Sequence, residues 1–135
     1  MWKTVVVAAF LFTALAAQAA SGVDVSWLIG PANARTGFGE VRIRAGVTYW
    51  RLLSPSHQVL AELRQPNLPQ NHVLSFGDCT RAGAEQTDLV VETSIPSERS
   101  KIATPLRAWR FDPRRRVIIP ASASGIVCYN PDYGF

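Results

Sequence analysis

Val41-Arg42-Ile43-Arg44-Ala45-Gly46-Val47-Thr48-Tyr49 is the stretch on which the fold class turns. In an extended chain, Val41, Ile43, Ala45, Val47 and Tyr49 fall on one face, and Arg42, Arg44, Gly46 and Thr48 on the other. Successive strand side chains point to opposite sides, so this alternation predicts a half-buried antiparallel strand, with Gly46 marking a bulge or bend. The same reading extends outward. Val73 to Phe76 is a short apolar run ended by Gly77-Asp78. Asp88 to Ile95 places Leu89, Val91, Thr93 and Ile95 on one face, and Leu106 to Asp112 places Trp109 and Phe111 together. Val117 to Ile119 and Ile126 to Tyr129 are short β-branched runs. Turn-rich segments lie between them: Gly30 to Asn33, Gln65 to Gln70, Arg81 to Gln86 and Ala121 to Gly125.

One segment reads two ways. Pro55 to Gln65 suits a short helix, with Ser54 as cap, Pro55 in the first turn and Val59, Leu60 and Leu63 on one face. Trp50-Arg51-Leu52-Leu53-Ser54-Pro55 to Leu60 also echoes Trp109-Arg110-Phe111-Asp112-Pro113 to Ile118, aligned with one gap. Both then read as strand, Ser/Asp-Pro turn, strand, because Pro presets φ for the second position of a type I turn. The hairpin is preferred at both places. The expected fold is all-β: a small antiparallel sandwich or barrel of about six to eight short strands, with one disulfide and at most one short helix.

The chain has 135 residues, 47% of them hydrophobic and 18% charged, with net charge +4. That length suits one domain, and the composition excludes a disordered polyelectrolyte. Residues 1–19 read as a secretory signal peptide. Met1-Trp2-Lys3 is a basic start, Thr4 to Ala16 is uncharged, and Ala17-Gln18-Ala19 is a small-x-small cleavage site. Cleavage there leaves one β-rich domain, residues 20–135, with net charge +3 and no stretch long enough to span a membrane. The expected location is periplasmic or secreted.

Cys79 and Cys128 are the only cysteines. In an oxidising compartment the pair predicts a disulfide. The alternative, a nucleophilic Cys79 with His57 or His72 as base, is disfavoured because the neighbouring Asp78 opposes a thiolate.

Charge is sorted along the chain. Residues 78–98 carry net −4, and residues 99–116 carry net +6. The plain expectation is cross-strand pairing of opposite charges, with Arg114-Arg115-Arg116 as a solvated turn. The sharper one is a binding surface of Arg107, Trp109, Arg110, Arg114, Arg115 and Arg116, because guanidinium forks bind phosphate and carboxylate in bidentate fashion. Trp27, Trp50 and Trp109 are either interface anchors or, more commonly, core.

Motifs for catalysis are sparse. Two histidines without metal-ligand spacing predict no metal, and no cofactor motif is present. Gly37-Phe38-Gly39 lacks the third glycine of a dinucleotide loop. Gly-x-Ser-x-Gly is absent, and Ser122 and Ser124 sit in a small-residue loop. Asp88 and Glu92 share a strand face but stand about 13 Å apart along a strand, too far for a glycosidase pair. The leading expectation is therefore a small exported, non-catalytic protein that binds a protein or an anionic envelope component, as an inhibitor, immunity factor or accessory module. A small extracytoplasmic hydrolase comes second. A structural subunit of a surface assembly comes third, because the terminal Tyr129 to Phe135 breaks at Pro131. Nucleic acid is not expected as a partner, and the oligomeric state is left open.

Overall fold

The fold is that of a computed structural model, which describes residues 22–94, 99–130 and 133. The expected signal peptide, Ile95, and most of the tail after Asn130 lie outside the described residues.

The described chain contains strands and no helix. The strands are β1 (Gly22–Ile29), β2 (Gly37–Arg44), β3 (Val47–Leu53), β4 (Val59–Arg64), β5 (His72–Phe76) and β6 (Thr80–Arg81). They continue as β7 (Ala84–Glu85), β8 (Leu89–Ser94), β9 (Ile102–Ala103), β10 (Pro105–Asp112), β11 (Val117–Ala121) and β12 (Ile126–Tyr129). They form three four-stranded sheets, in the orders β1-β2-β3-β4, β11-β10-β8-β5 and β7-β6-β12-β9, with antiparallel pairing throughout. The all-β expectation holds, with twelve strands among the described residues against the expected six to eight, three of them only two residues long.

Val41 to Tyr49 is not one strand. It is the hairpin of β2 and β3, with Arg44 opposite Val47 and a turn at Ala45-Gly46. Both turn residues have positive φ, 50° and 77°, the pattern of a type I′ turn. The turn reverses the faces. Val41 stands opposite Trp50, so the even-numbered Trp50 and Leu52 point inward and are fully buried. Tyr49 therefore points outward, where the Arg44 guanidinium lies 4.3 Å from its ring centre. Ala45 fitted the apolar alternation and so concealed the turn.

The helical reading of Pro55 to Gln65 is also overturned. Ser54 O accepts from His57 N at 2.9 Å, Ser54 Oγ accepts from Gln58 N at 3.0 Å, and β4 follows. Competition from the Ser54 side chain closes a turn where a cap could have opened a helix. The preferred hairpins form at both echoed segments: β3–β4 in the first sheet and β10–β11 in the second. Equivalent residues meet in the core. The rings of Trp50 and Trp109 pack edge-to-face at 5.0 Å, and Leu52 and Phe111 are both fully buried.

The second sheet is the middle layer. Toward the first sheet it offers Val90, Trp109 and Phe111, which pack with Ile29, Val41, Trp50 and Leu52. Its other face packs Leu89, Val91 and Ala108 against Cys79, Ala103, Ile126 and Cys128 of the third layer. Strand β8 is thus buried on both faces rather than on one. The expected disulfide joins Cys79 to Cys128, with both residues 1% exposed. It closes a loop of 49 residues' separation, worth about 4 kcal/mol of chain entropy.

Two glycines fit around one indole. Trp27 lies opposite Gly39, and a Cβ on Gly39 would fall inside its ring. Gly77, at φ +72°, passes its Cδ1 edge, where a Cβ would come within 2.7 Å. Phe76 and Phe111, each with ring centres 5.2 Å from Trp27, complete the packing. Gly37-Phe38-Gly39 is therefore a packing device.

Candidate binding surfaces

Strand β10 divides the six residues expected to form one surface. Alternation turns Arg107, Trp109 and Phe111 to the same side, with Arg110 on the other. Trp109 is 6% exposed and belongs to the core. Arg110 lies beside Asp88, Nε to Oδ2 3.2 Å, although the contact is not aligned as a hydrogen bond.

Arg107 holds a buried acid. It stands opposite Glu92 of β8, whose side chain is 2% exposed. Arg107 Nε donates to Glu92 Oε1 at 2.7 Å and Nη2 lies 2.6 Å from the same oxygen as an ion pair, while Oε2 lies 2.6 Å from His72 Nδ1. Nη2 also donates to Asn67 O at 3.0 Å, tying down the β4–β5 connection, and the guanidinium lies 4.9 Å from the Trp109 ring centre. Burial alone would raise the Glu92 carboxyl. The hydrogen bonds from His72 and Arg107, with their charges, outweigh it and hold the group below its ordinary value of 4.5. Two pairs join the opposed charge blocks at β8 and β10, Arg107–Glu92 and Arg110–Asp88, in the manner of the plain expectation.

Arg114, Arg115 and Arg116 remain, all exposed at the tip of the β10–β11 hairpin. Asp112 Oδ1 accepts from Arg115 N at 3.1 Å, and Arg116 adopts φ 59° to close the turn. Arg115 Nε lies 4.0 Å from Asp112 Oδ2. Among the described residues, neither Arg114 nor Arg116 has an ion pair. At the base of the tip Pro113 lies beside the start of β2 at Gly37.

Three other places came without sequence signals. On the outer face of the first sheet, Glu40 and Glu62 interleave with Arg42, Arg51 and Arg44 at 2.6–3.6 Å. Beside that network His57 stacks on Phe38 at 4.8 Å, on an apolar shelf completed by Val23, Leu28 and Leu53. A cleft of about 480 Å³ separates β1 from the third sheet, with Trp27 and Phe76 as walls and Arg35, Asp78 and Glu85 at its rim. Partial burial raises the Asp78 carboxyl, and the charge of Glu85 adds to this against an opposing backbone hydrogen bond. Periodicity could not reveal the cleft, because it joins residues far apart in the chain.

Among the described residues no group of three or more His, Cys, Asp or Glu is placed to hold a metal ion, and no helix is long and apolar enough to cross a membrane. Comparison with protein-family models, with curated proteins and with solved structures gives no match to this chain.

Proposed function

We propose that the protein is exported through its N-terminal signal peptide and acts outside the cytoplasm as a non-catalytic binding module for an anionic partner. The partner is an envelope component or a protein that presents phosphate or carboxylate groups. The buried disulfide supports an oxidising compartment.

One observation carries the binding reading. Three consecutive arginines project from a hairpin tip, and among the described residues only Arg115 approaches a carboxylate. A cluster of free guanidinium groups on a fixed turn is suited to bidentate anion contacts. The hydrolase reading is less well supported, because Asp88 and Glu92 are both engaged by arginines.

The test is R114S/R115S/R116S. The variant is expected to keep its stability within about 0.5 kcal/mol, as exposed substitutions do. It is also expected to lose retention on phosphate-bearing matrix and on isolated envelope, together with the salt dependence of that retention. Retention and salt dependence equal to the parent protein would refute the proposal.

A further inference from the structure

The edges of the three sheets are not equally protected. Strand β11 carries Pro120 and lies against β4, so each of these edges shields the other. Strands β7 and β9 are two residues long, and β5 has five. Strand β1 has eight residues and pairs only with β2 among the described residues. Its C-terminal end is bridged to the chain before β8. Trp27 Nε1 donates to Thr87 O at 3.0 Å, and Gly30 N donates to Thr87 Oγ1 at 2.9 Å. Among the described residues no such bridge reaches Gly22–Ser26. Val23 there is 52% exposed, and Leu28 beyond it is 40% exposed.

The open edge leads into the cleft. Ser26, Trp27 and Leu28 line both the cleft and the apolar shelf of Phe38 and His57, so the two hollows meet along β1. The cleft has a sign preference. Asp78 and Glu85 have no ion-pair partner among the described residues. Arg35 lines the same cleft without pairing to either. The walls are the indole of Trp27 and the ring of Phe76, against which an alkyl stem packs while its charged end stays with the carboxylates.

We propose that the open half of β1 receives an extended segment of a partner protein as an added strand, with a basic side chain of that segment seated between Asp78 and Glu85. Strand addition supplies main-chain hydrogen bonds without regard to sequence, and side-chain pockets supply the selectivity. The apolar shelf on the other side of β1 takes a hydrophobic side chain of the same segment. This surface is independent of the arginine tip, so it stands or falls separately from the anion-binding proposal.

The test uses the disulfide-bonded protein, isotopically labelled, and three capped heptapeptides. The first alternates threonine and valine around a central lysine. The second has glutamate in place of the lysine. The third is the lysine peptide N-methylated at alternate amides. Titration with the lysine peptide is expected to shift the amides of Gly22–Ser26, with affinity at least about tenfold above that of the glutamate peptide. The N-methylated peptide is expected not to bind. D78N/E85Q, with its fold checked by near-ultraviolet circular dichroism, is expected to lose about tenfold in affinity for the lysine peptide. R114S/R115S/R116S is expected to bind it as the parent does. Equal affinity for the lysine and glutamate peptides, shifts confined to another surface, or no binding at millimolar peptide would each overturn the proposal. So would a concentration-dependent dimer that shifts the same amides, since the edge would then belong to a second copy of this chain. The peptide arms keep the test decisive should the double variant fail to fold.

Discussion

Replacing Arg107 with Met keeps most of the alkyl stem and removes the guanidinium that holds Glu92. One charge-assisted hydrogen bond to Oε1 at 2.7 Å, the ion-pair contact of Nη2 at 2.6 Å and a hydrogen bond to Asn67 O at 3.0 Å are lost. Bonds to charged groups contribute about 1.5–3 kcal/mol, and breaking one end of a fully buried ion pair costs about 3–5 kcal/mol. The Arg107 side chain is 48% exposed and His72 still reaches Oε2, so both figures are discounted. The expected loss at neutral pH is about 2–4 kcal/mol, read from urea unfolding midpoints. Acid should change it. The folded Glu92 carboxyl lies below its ordinary 4.5, so its stabilisation is present above that value and is lost as pH falls through the folded value. Without Arg107 its hydrogen bond and charge no longer lower the carboxyl, so the group lies higher than in the parent and less of the variant's stability is lost in acid. The difference between parent and R107M should therefore be largest near neutrality and shrink in acid. E92Q/R107M should recover part of the loss, because an amide needs no counter-charge. A pH-independent difference, or a double variant whose loss is the sum of the two single losses, would refute this account.

Two further outcomes test the packing. Gly39→Ala should cost about 3 kcal/mol, because its Cβ displaces the Trp27 indole from Phe76, Phe111 and Thr87 O. In a Trp27→Leu background the same change should cost under about 1 kcal/mol, and equal costs in both backgrounds would contradict the contact. Ala45→Asn should stabilise by about 0.5–1 kcal/mol, since φ 50° suits Asn better than Ala, and a thermal midpoint at or below the parent's would argue against the type I′ turn.

Much of the fold was legible because strands of this chain carry period-two patterns. The two Ser/Asp-Pro turns were legible because their side chains close them. The Ala45-Gly46 turn was hidden because Ala is both a permitted inward residue and a rare left-handed one. Strand β1 was missed because Gly22 to Ile29 mixes exposed Val23 and Leu28 with inward Val25 and Trp27 across a bulge. The candidate surface was legible only as composition. A run of arginines in sequence says nothing of which ones meet a carboxylate, and pairing β8 with β10 engages Arg107 and Arg110 while Arg114 and Arg116 have no ion pair among the described residues. The Asp78–Glu85 cleft depends on contacts between distant segments, which no local period encodes.

The placement of the tryptophans has a spectroscopic consequence. Trp27, Trp50 and Trp109 all belong to the core between the first two sheets, and none lies in the third sheet, where the disulfide sits. The emission of Trp50 and Trp109 therefore reports the core between the first two sheets, while Trp27, beside Gly77 and the Asp78–Glu85 cleft, also borders the third layer. Reduction that frees only the third sheet leaves Trp50 and Trp109 packed and confines any change to Trp27, while reduction that opens the whole domain shifts the emission of all three to the red. A single fluorescence trace thus distinguishes a detachable layer from a cooperative whole.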